Sequence, residues 1–303
     1  GSSVFHLTKS PLSTVTIAIL SGLILRQSFT FVKKFDSGYQ FCIKYLLKGG
    51  IIILGIKLSL SEVLDVSVNS LIVVVPSISF TIFLVLFIRS YFNIPKKIAL
   101  LIAVGTSICG ATAIVATAPV LNAKKEEVSF AVANITLFGL FAMIFYPYLA
   151  NSLFSNNSLA VGLFLGSSIH DTAQVAGASL IYDQQFINED VVKISTVTKL
   201  IRNTAMIIVI PFLAIKQNKI LHSKNNLSSI LKLFPLFIFG FILFIFFRSL
   251  GDFLFIQNQY SFYYFSESLW NSTVLFLSSI SGFLLTISMA AVGISTDILS
   301  LKK

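Results

Sequence analysis

The amino-acid sequence predicts an all-α, polytopic integral membrane protein, and two observations support this fold class. First, 55% of the 303 residues are hydrophobic and only 11% are charged, whereas an ordinary soluble domain has about 25% charged residues. Second, residues 66–88, 98–123, 128–170 and 268–296 contain no charged side chain. Each uncharged stretch can hold a spanning helix, which needs about 20 mainly apolar residues. The stretches do not alternate apolar and polar residues as the strands of a β-barrel do, so helices are predicted.

Nine apolar segments are long enough to be spans. We place them near residues 11–31, 41–60, 70–91, 98–121, 128–150, 159–181, 190–215, 230–249 and 267–299, the last with a broken end. The loops richer in Lys and Arg are expected on the cytoplasmic side by the positive-inside rule, which puts the N-terminus outside. No polar stretch is long enough for a soluble core, so we expect one transmembrane domain over residues 1–303.

The net charge of +10 is typical of the loops of a membrane protein. The Lys and Arg residues fall in short loops, and no basic helix with interleaved aromatic residues is present. We therefore expect the lipid bilayer, and no nucleic acid, as a partner. The two cysteines, Cys42 and Cys109, both lie in apolar segments, so a disulfide framework is not indicated.

Two polar segments inside the predicted spans resemble each other. Residues 105–116 and 166–177 each contain a Gly, a small hydroxyl residue, Ser-Ile and several small residues. A weaker echo pairs residues 54–59 with 292–296. Internal repeats with interrupted helices are the best sequence indication of a transporter's binding site. The spacing of the stronger pair indicates parallel segments, so either one segment is re-entrant or this echo is not the topological repeat.

Segment 105–119 has two interpretations. Gly105, Cys109, Thr112 and Ala116 share one helix face, and small residues on one face allow close helix packing. Alternatively, the helix is broken here, and its free N–H groups and positive dipole end face an anion. The echo modestly favours the broken helix.

Segment 166–178 carries ionisable residues inside a predicted span. His170 and Gln174 are four positions apart and face together, while Asp171 lies about 100° around the helix. An ionisable residue within a span is costly and indicates function by default; the alternative is a position in water near the interface. Because His titrates near neutrality, His170 with Asp171 could carry a coupling proton. Asp171 could equally hold Na⁺.

Lys199 and Arg202 are three positions apart on one helical face, inside a span. Both long side chains can snorkel to the membrane interface. The functional alternative is that the guanidinium of Arg202 pairs with an oxyanion or with Asp171. Sequence alone leaves both alternatives open.

Taken together, the motifs resemble those of the sulfate exporter family of bacterial inner-membrane proteins, also described as a conserved uncharacterised membrane family. The resemblance rests on Gly-Thr-Ser-Ile-Cys-Gly-Ala at 105–111, Leu-Phe-Gly and Tyr-Pro within 137–147, Gly-Ser-Ser-Ile-His-Asp-Thr-Ala-Gln-Val at 166–175 and Lys-Leu-Ile-Arg at 199–202. It runs in order from about Pro11 to Lys303.

The resemblance implies about nine to ten transmembrane helices with internal inverted repeats and crossed discontinuous helices. The implied fold is related to bile-acid/sodium symporters and sodium/proton antiporters. Family members usually have a span before Pro11 and another after Asp297, so we expect this chain to be trimmed at one or both ends or divergent. Asn203 stands where a branched apolar residue commonly follows the family's Arg, and it adds polarity beside the proposed site.

Motifs and resemblance together predict a secondary transporter of a small anion, such as sulfate, sulfite or an organosulfonate, across the bacterial inner membrane. Transport is expected to use alternating access and coupling to H⁺ or Na⁺. The alternatives are a Na⁺-coupled organic-anion symporter of the bile-acid type, an anion channel, and an intramembrane enzyme. The sequence contains no Walker A, zinc-protease or nucleophile-elbow motif. We expect no enzyme activity, cofactor or metal, and a homodimer is left open.

The predicted site residues fall in three segments of the chain. The substrate-binding set comprises Thr106, Ser107, Cys109, Ser167, Ser168, His170, Gln174 and Arg202. The ion-coupling set comprises His170, Asp171 and Lys199. Helix N-termini and Arg202 are expected to hold the anion near the midplane, while His170 or Asp171 couples a cation.

Overall fold

The computed structural model describes residues 13–29, 34–155, 157–216, 237–258 and 266–296, which are helical and include no strand. In chain order the helices are α1 (Thr14–Ser28), α2 (Asp36–Phe41), α3 (Leu47–Leu54), α4 (Leu60–Tyr91), α5 (Lys96–Ser107), α6 (Ala111–Leu121), α7 (Lys125–Phe154), α8 (Ser158–Ser168), α9 (Thr172–Phe186), α10 (Asp190–Thr204), α11 (Met206–Lys216), α12 (Phe237–Asn258) and α13 (Glu267–Ser295). A π-helical turn (Cys42–Leu46) joins α2 to α3, and a 3₁₀ turn (Gly55–Lys57) follows α3. The predicted all-α class is confirmed.

Six helical segments of the described chain are long and apolar enough to cross a membrane: Asp36–Lys57, Leu60–Tyr91, Lys125–Phe154, Asp190–Leu213, Phe237–Phe255 and Glu267–Ser295. The helices α1, α6 and α8 are apolar but shorter. The predicted membrane character is therefore confirmed, while nine to ten crossings and inverted repeats stay predictions. The first part of the segment predicted at 230–249, and the broken end predicted near residue 299, lie outside the described residues.

Polar residues at helix starts explain where several helices begin. Ser13 and Asn157 each accept a hydrogen bond from an N–H of the first turn, in α1 and α8 respectively. Ser59 and Glu62 form a reciprocal capping box at the start of α4. Such caps satisfy N–H groups that have no partner within the helix. These caps therefore determine where the helices begin, because the apolar residues of the helix interiors do not mark a starting point.

The helices pack as two groups. In the α1–α3–α12–α13 group, α13 packs along α1 and α3, and α12 packs on α3. In the α4–α11 group, α10 packs on α4, α8 and α9, while α7 packs on α5, α6, α8 and α9. A Cβ at Gly22 would lie 2.6 Å from the carbonyl oxygen of Ala290, so a glycine is needed for α1 to approach α13 this closely.

The two groups meet along α9 and at one end of the molecule. Helix α9 packs against α1 and α13. Lys57, which follows α3, donates from Nζ to Glu189 Oε2 at 2.9 Å, just before α10 begins. Thr14 at the start of α1 donates from Oγ1 to Gln184 Oε1 at 2.8 Å, near the end of α9. These polar contacts lie at helix ends, where water can reach them.

The short loops before and after α7 show in which direction the neighbouring helices run. Short connections lead from Leu121 to Lys125 and from Phe154 to Ser158, and consecutive helices joined by short loops run antiparallel. Helices α6 and α8 therefore both run opposite to α7.

Lys97 at the start of α5 donates from Nζ to the carbonyl oxygen of Asn122, which follows α6, at 2.8 Å. Asn188, which follows α9, donates from Nδ2 to the Ser158 hydroxyl at the start of α8, also at 2.8 Å. The α5–α6 and α8–α9 pairs are therefore two helical hairpins, and α5 and α9 run in the same direction as α7. The sequence echo left open whether its segments are re-entrant. The two hairpins support that alternative, since one has its open end where α7 begins and the other where α7 ends.

Candidate functional site

Two helices are interrupted where the sequence echo lies. Helix α5 ends at Ser107 and α6 begins at Ala111, which leaves a first interruption at 108–110. Helix α8 ends at Ser168 and α9 begins at Thr172, which leaves a second interruption at 169–171. Gly110 has a φ of 68°, a conformation that side chains with a Cβ rarely adopt. The break predicted in segment 105–119 is confirmed and segment 166–178 is broken as well, while the anion proposed to face the break stays a prediction.

Lys199 of α10 connects the two interruptions. Its Nζ donates to the carbonyl oxygen of Ile108 at 2.9 Å and to that of Ile169 at 3.0 Å. A third hydrogen bond goes to the carbonyl oxygen of His170. An ammonium group has three N–H donors, and these carbonyls satisfy all of them. Because Lys199 is 0% exposed, its side chain does not snorkel to the interface.

Arg202, one turn further along α10, bonds the same two helix ends. Its Nε donates to the carbonyl oxygen of Ser107 at 2.8 Å. Its Nη1 donates to the carbonyl oxygens of Ser167 at 2.6 Å and Ile169 at 3.0 Å, and Nη2 donates to that of Thr106. The planar guanidinium can bridge two chain segments in this way because its donors form a fixed fork.

The two cations lie at the negative ends of two helix dipoles. The last carbonyls of a helix carry roughly half a negative charge, and α5 and α8 end beside the same two side chains. Lys199 and Arg202 therefore stabilise both ends and replace helical hydrogen bonds lost at the interruptions. Among the described residues no ion pair joins Arg202 to Asp171, so that alternative does not describe this structure.

Asp171 lies at the positive end of α9. Its Oδ1 accepts the Ala173 N–H at 2.8 Å, and Gln174 Oε1 accepts the Asp171 N–H at 3.1 Å, which forms a capping box. A Cβ built on Gly110 would lie 3.6 Å from Asp171 Oδ2 and 3.5 Å from the carbonyl oxygen of His170. The two interruptions are therefore in contact, and the N-termini of α6 and α9 meet at this carboxylate.

The start of α6 is the open side of the site. Gly110 occupies the N-cap position, so no side chain caps this helix. The side chain of Cys109, which precedes Gly110, is buried. Ala111 is half-buried and Thr112 is exposed. Helix N-termini with available N–H groups bind anions, and this one lies beside Asp171.

His170 lies in the second interruption and reaches toward the first. Its imidazole faces the backbone of Thr106, and its Nδ1 is buried without a partner among the described residues. A buried polar atom without a partner costs free energy. Such an atom at a helix interruption is a candidate ligand or proton site.

The predicted serines take part mainly through their backbones. The hydroxyls of Ser107, Ser167 and Ser168 donate to carbonyls one turn earlier in their own helices, at 2.6 to 3.4 Å. The carbonyls of Thr106, Ser107 and Ser167 bond Arg202. Substrate contact by the side chains stays a prediction. The described residues contain no set of three or more His, Cys, Asp or Glu side chains that could hold a metal ion.

Several residues that build the site gave no chemical signal in the sequence. Ile108 and Ile169 take part only through their carbonyls. Gly139 of α7 leaves the space that the amide of Gln174 fills, and a Cβ there would overlap that amide. Asn203, by contrast, stood out in the sequence because of its polarity. Its Nδ2 donates to the hydroxyl of Thr172, the first residue of α9, at 3.1 Å.

Comparison with known proteins identifies the relatives of this chain. A family model described as conserved hypothetical protein 698 matches residues 2–303. A UPF0324 membrane protein of Fusobacterium nucleatum is 34% identical over 296 residues, covering 97% of this chain and 83% of that protein. The UPF0324 inner membrane protein YeiH of Escherichia coli is 31% identical over 311 residues, covering 100% of this chain and 82% of that protein. No solved structure matches this chain.

The names of these relatives bear on location and family. They are membrane proteins, and YeiH is named as an inner membrane protein, which confirms the predicted location in the bacterial inner membrane. The sulfate exporter assignment and the relation to bile-acid symporters stay predictions. With a family match over residues 2–303 and close to one third identity with these relatives, this chain belongs to the UPF0324 membrane protein family, described as conserved hypothetical protein 698.

Proposed function

We propose that this protein is a secondary transporter of a small anion, coupled to H⁺ or Na⁺, and not an enzyme. One observation carries the proposal: two buried cations of a candidate span, Lys199 and Arg202, bond the ends of two interrupted helices. Non-helical backbone at membrane depth is tolerated only inside protein or along a cavity. Interrupted helices of this kind form substrate and ion sites in secondary transporters.

The charge balance at the interruptions supports an anionic substrate. Two side-chain cations and one carboxylate lie there, Lys199 and Arg202 against Asp171, which gives +2 − 1 = +1 when all are ionised. The N-termini of α6 and α9 add positive dipole ends on the side of Asp171. A small oxyanion bound at the open start of α6 can accept N–H hydrogen bonds there.

Lys199 and Arg202 are proposed to position the site rather than to contact the anion directly. The three donors of Lys199 and most donors of Arg202 already bond carbonyl oxygens. Direct contact with substrate would require breaking these bonds in a buried setting, at about 1–3 kcal/mol for each carbonyl left without a donor. Their positive charge still acts on an anion a few ångströms away.

Coupling is proposed to act through Asp171, with His170 as the second candidate. The Asp171 carboxylate lies at the start of α9 and beside Gly110 at the start of α6. A proton or Na⁺ on this carboxylate removes a negative charge from the place where the anion is proposed to bind. Cation and anion then favour each other's binding, and this coupling is reciprocal by thermodynamic necessity.

Movement between the two helix groups is proposed to provide alternating access. The interruptions belong to the α4–α11 group, and α9 of that group packs on α1 and α13 of the other. Rocking one group against the other moves the site relative to α1 and α13 while Lys199 and Arg202 keep both interruptions together. Transporters of the interrupted-helix type use such rigid-body motion.

Uptake of radiolabelled sulfate into sealed proteoliposomes tests the proposal. The protein is reconstituted without gradient, with an inward proton gradient, or with an inward sodium gradient, and sulfite and taurine are added as competitors. We expect uptake driven by one of the gradients and its loss in His170→Ala and Asp171→Asn. Competition without sulfate uptake would move the substrate toward organosulfonates.

Controls separate a carrier from the alternatives. The matched control Asp190→Asn removes an exposed carboxylate at the start of α10, where Asp190 pairs with Lys193, and should transport normally. Gradient-independent currents far above carrier rates would indicate an anion channel instead. Uptake of a bile acid driven by sodium would indicate an organic-anion symporter. No uptake of any tested anion in sealed vesicles that contain folded protein would refute the proposal.

A further inference from the structure

A cavity opens between α6 and the start of α7, at the end of the molecule where these two helices are joined. It has a volume of about 580 Å³. Helix α6 contributes Val115, Pro119 and Asn122 to its lining, and α7 contributes Lys125 and Ser129. Asn122, Lys125 and Ser129 are exposed, so a cation and two hydrogen-bonding side chains belong to the lining itself. Water and small ions can therefore enter this cavity.

The two walls of the cavity lead toward the helix interruptions. Positions 115, 118, 119 and 122 share one face of α6, and the exposed Thr112 lies on that face one turn before Val115. On α7, positions 125, 128 and 129 share a face, which continues through position 132 to Thr136. The Thr136 carbonyl oxygen accepts a hydrogen bond from Gln174 Nε2 at 3.4 Å. We call this surface, from Thr112 to Asn122 on α6 and from Lys125 to Thr136 on α7, the α6–α7 groove.

The α6–α7 groove differs from the other side of α7. Phe130, Phe138 and Phe141 lie on the opposite face of this helix and are 55%, 60% and 56% exposed. That aromatic face suits the hydrocarbon around a candidate span. The groove instead carries Asn122 and Ser129, and placing such polar groups in hydrocarbon without hydrogen bonds costs free energy. Water therefore suits the groove better than lipid chains do.

The mouth of the groove lies at the more basic end of the α4–α11 group. Lys97 bonds the Asn122 carbonyl, so the connection from α4 to α5 reaches the mouth. Among the described residues, the helix ends at the mouth carry the two carboxylates of Glu126 and Glu127 and five cations: Arg89, Lys96, Lys97, Lys124 and Lys125. At the opposite end, Lys57 and Lys193 are each paired with a carboxylate. By the positive-inside rule, which counts Lys and Arg, we expect the mouth on the cytoplasmic side.

We propose that the α6–α7 groove is the hydrated cytoplasmic path along which a small oxyanion reaches the start of α6, with Lys125 as the cation at its mouth. Such a path rests on the transport function proposed above. A cleft in which one sign of charge prevails concentrates a substrate of the opposite sign. The Asn122 amide and the Ser129 hydroxyl can donate hydrogen bonds to an oxyanion. The path ends beside Asp171, at the helix start where the anion is proposed to bind.

Thiol labelling of Val115→Cys in membrane vesicles tests the path. Val115 lines the groove and is 55% exposed. The matched control is Phe130→Cys, at an equally exposed position on the opposite face of α7. The reagents are two membrane-impermeant methanethiosulfonates, one carrying a sulfonate and one a trimethylammonium group. Labelling of the unaltered chain, which contains Cys42 and Cys109, is subtracted.

We expect Val115→Cys to react at least about tenfold faster than Phe130→Cys, because the reactive species is the thiolate, which needs water. The reaction should occur in inside-out vesicles and not in right-side-out vesicles. Equal rates for the two variants, or labelling of Val115→Cys only in right-side-out vesicles, would overturn the proposal.

The charge of the reagent tests the cation at the mouth. In Lys125→Gln, the ratio of the sulfonate rate to the trimethylammonium rate at Val115→Cys should fall about threefold, because the charge of Lys125 attracts one reagent and repels the other. Lys193→Gln removes a cation at the opposite end and should leave the ratio unchanged. An unchanged ratio in Lys125→Gln would contradict the role of this side chain.

Anion uptake in the same vesicles separates the path from the transport function. Labelling that blocks uptake by Val115→Cys supports the path. If the unaltered chain takes up sulfate or another tested anion while Val115→Cys is not labelled, the path is wrong and the transport function stands. If Val115→Cys is labelled as expected but the unaltered chain takes up no anion, the transport function fails and the path fails with it.

Discussion

Lys199 Nζ lies 2.9 Å from the carbonyl oxygen of Ile108, although 91 residues separate them in the sequence. The same nitrogen lies 3.0 Å from the carbonyl oxygen of Ile169, so one side chain of α10 bonds both interrupted helices. Arg202 repeats this pattern one turn later. The site is therefore a backbone structure that two side chains hold in place.

Replacing Lys199 should destabilise the protein strongly. Lys199→Met keeps the length and apolar stem of the side chain but leaves the carbonyls of Ile108 and His170 without their donor, while that of Ile169 keeps its bond from Arg202. Each buried group without a partner costs about 1–3 kcal/mol, so we expect a loss of about 2 kcal/mol or more. Thermal unfolding in detergent measures the effect. Lys193→Met, which removes only the exposed pair with Asp190, should change stability by less than about 1 kcal/mol, and equal losses would contradict the model of the site.

Arg202→Lys should impair the site even though it keeps the charge. A lysine lacks the planar fork, so it cannot bond Thr106 and Ser107 of α5 together with Ser167 of α8. We expect a stability loss of about 2 kcal/mol and reduced anion uptake. Arg26→Lys, at the ion pair with the half-exposed Asp36, is the matched control and should retain uptake. Normal uptake and stability in Arg202→Lys would show that charge alone suffices.

Two variants of Asp171 should separate its roles as helix cap and as coupling group. Asn is about as good an N-cap as Asp, so Asp171→Asn should keep stability while gradient-driven uptake is lost. Asp171→Ala should also lose about 1 kcal/mol of stability. Asn157→Ala, which removes the cap of α8, should lose similar stability but keep uptake. If Asp171→Asn still shows full gradient dependence, the coupling group is elsewhere.

Gly139→Ala should disturb the site from a neighbouring helix. The new methyl group would overlap the amide of Gln174, which must move and lose its hydrogen bond with the Asp171 N–H. We expect lower uptake with a stability loss of about 1 kcal/mol. Gly282→Ala in α13 meets nothing within 4 Å and should be neutral or stabilising by up to about 1 kcal/mol. Uptake and unfolding temperature of both variants give the comparison.

The contact between the helix groups at Glu189 should depend on pH. The hydrogen bond from Lys57 and the nearby positive charge of Lys57 hold the pKa of Glu189 below its ordinary value. Because the folded-state pKa is lowered, the stabilisation is fully present above the ordinary pKa and is lost as the pH falls through the lowered one. The pair is exposed and contributes at most about 1 kcal/mol. The difference in unfolding temperature between the unaltered chain and Glu189→Gln should therefore shrink in acid, and a constant difference would contradict this origin.

The interrupted helices could be predicted from the sequence because they leave a compositional trace. A run of Gly, Ala, Ser and Thr at 105–116, repeated in part at 166–177, disfavours a continuous apolar helix and marks a special backbone. His170 and Asp171 stood out for the same reason, since ionisable residues within a span are rare. The all-α membrane class followed from the long uncharged stretches.

The partners of Lys199 and Arg202 could not be predicted because they are backbone carbonyls. A carbonyl is present at every residue, so nothing in the side chains of Ile108 or Ile169 distinguishes them. The prediction for Arg202 therefore considered only an oxyanion or Asp171 as partner. The role of Gly139 could not be predicted either, because Gln174 fills the space beside it only once α7 and α9 are packed together.

The shared attachment of both interruptions to α10 has a consequence for their movement. Lys199 and Arg202 lie on adjacent turns of one rigid helix, and each bonds both chain segments. A displacement of α10 moves both segments, because both are hydrogen-bonded to it. If one segment moved alone, its hydrogen bonds to Lys199 and Arg202 would break while those of the other segment would remain. We therefore expect the two interruptions to move together with α10 rather than one at a time.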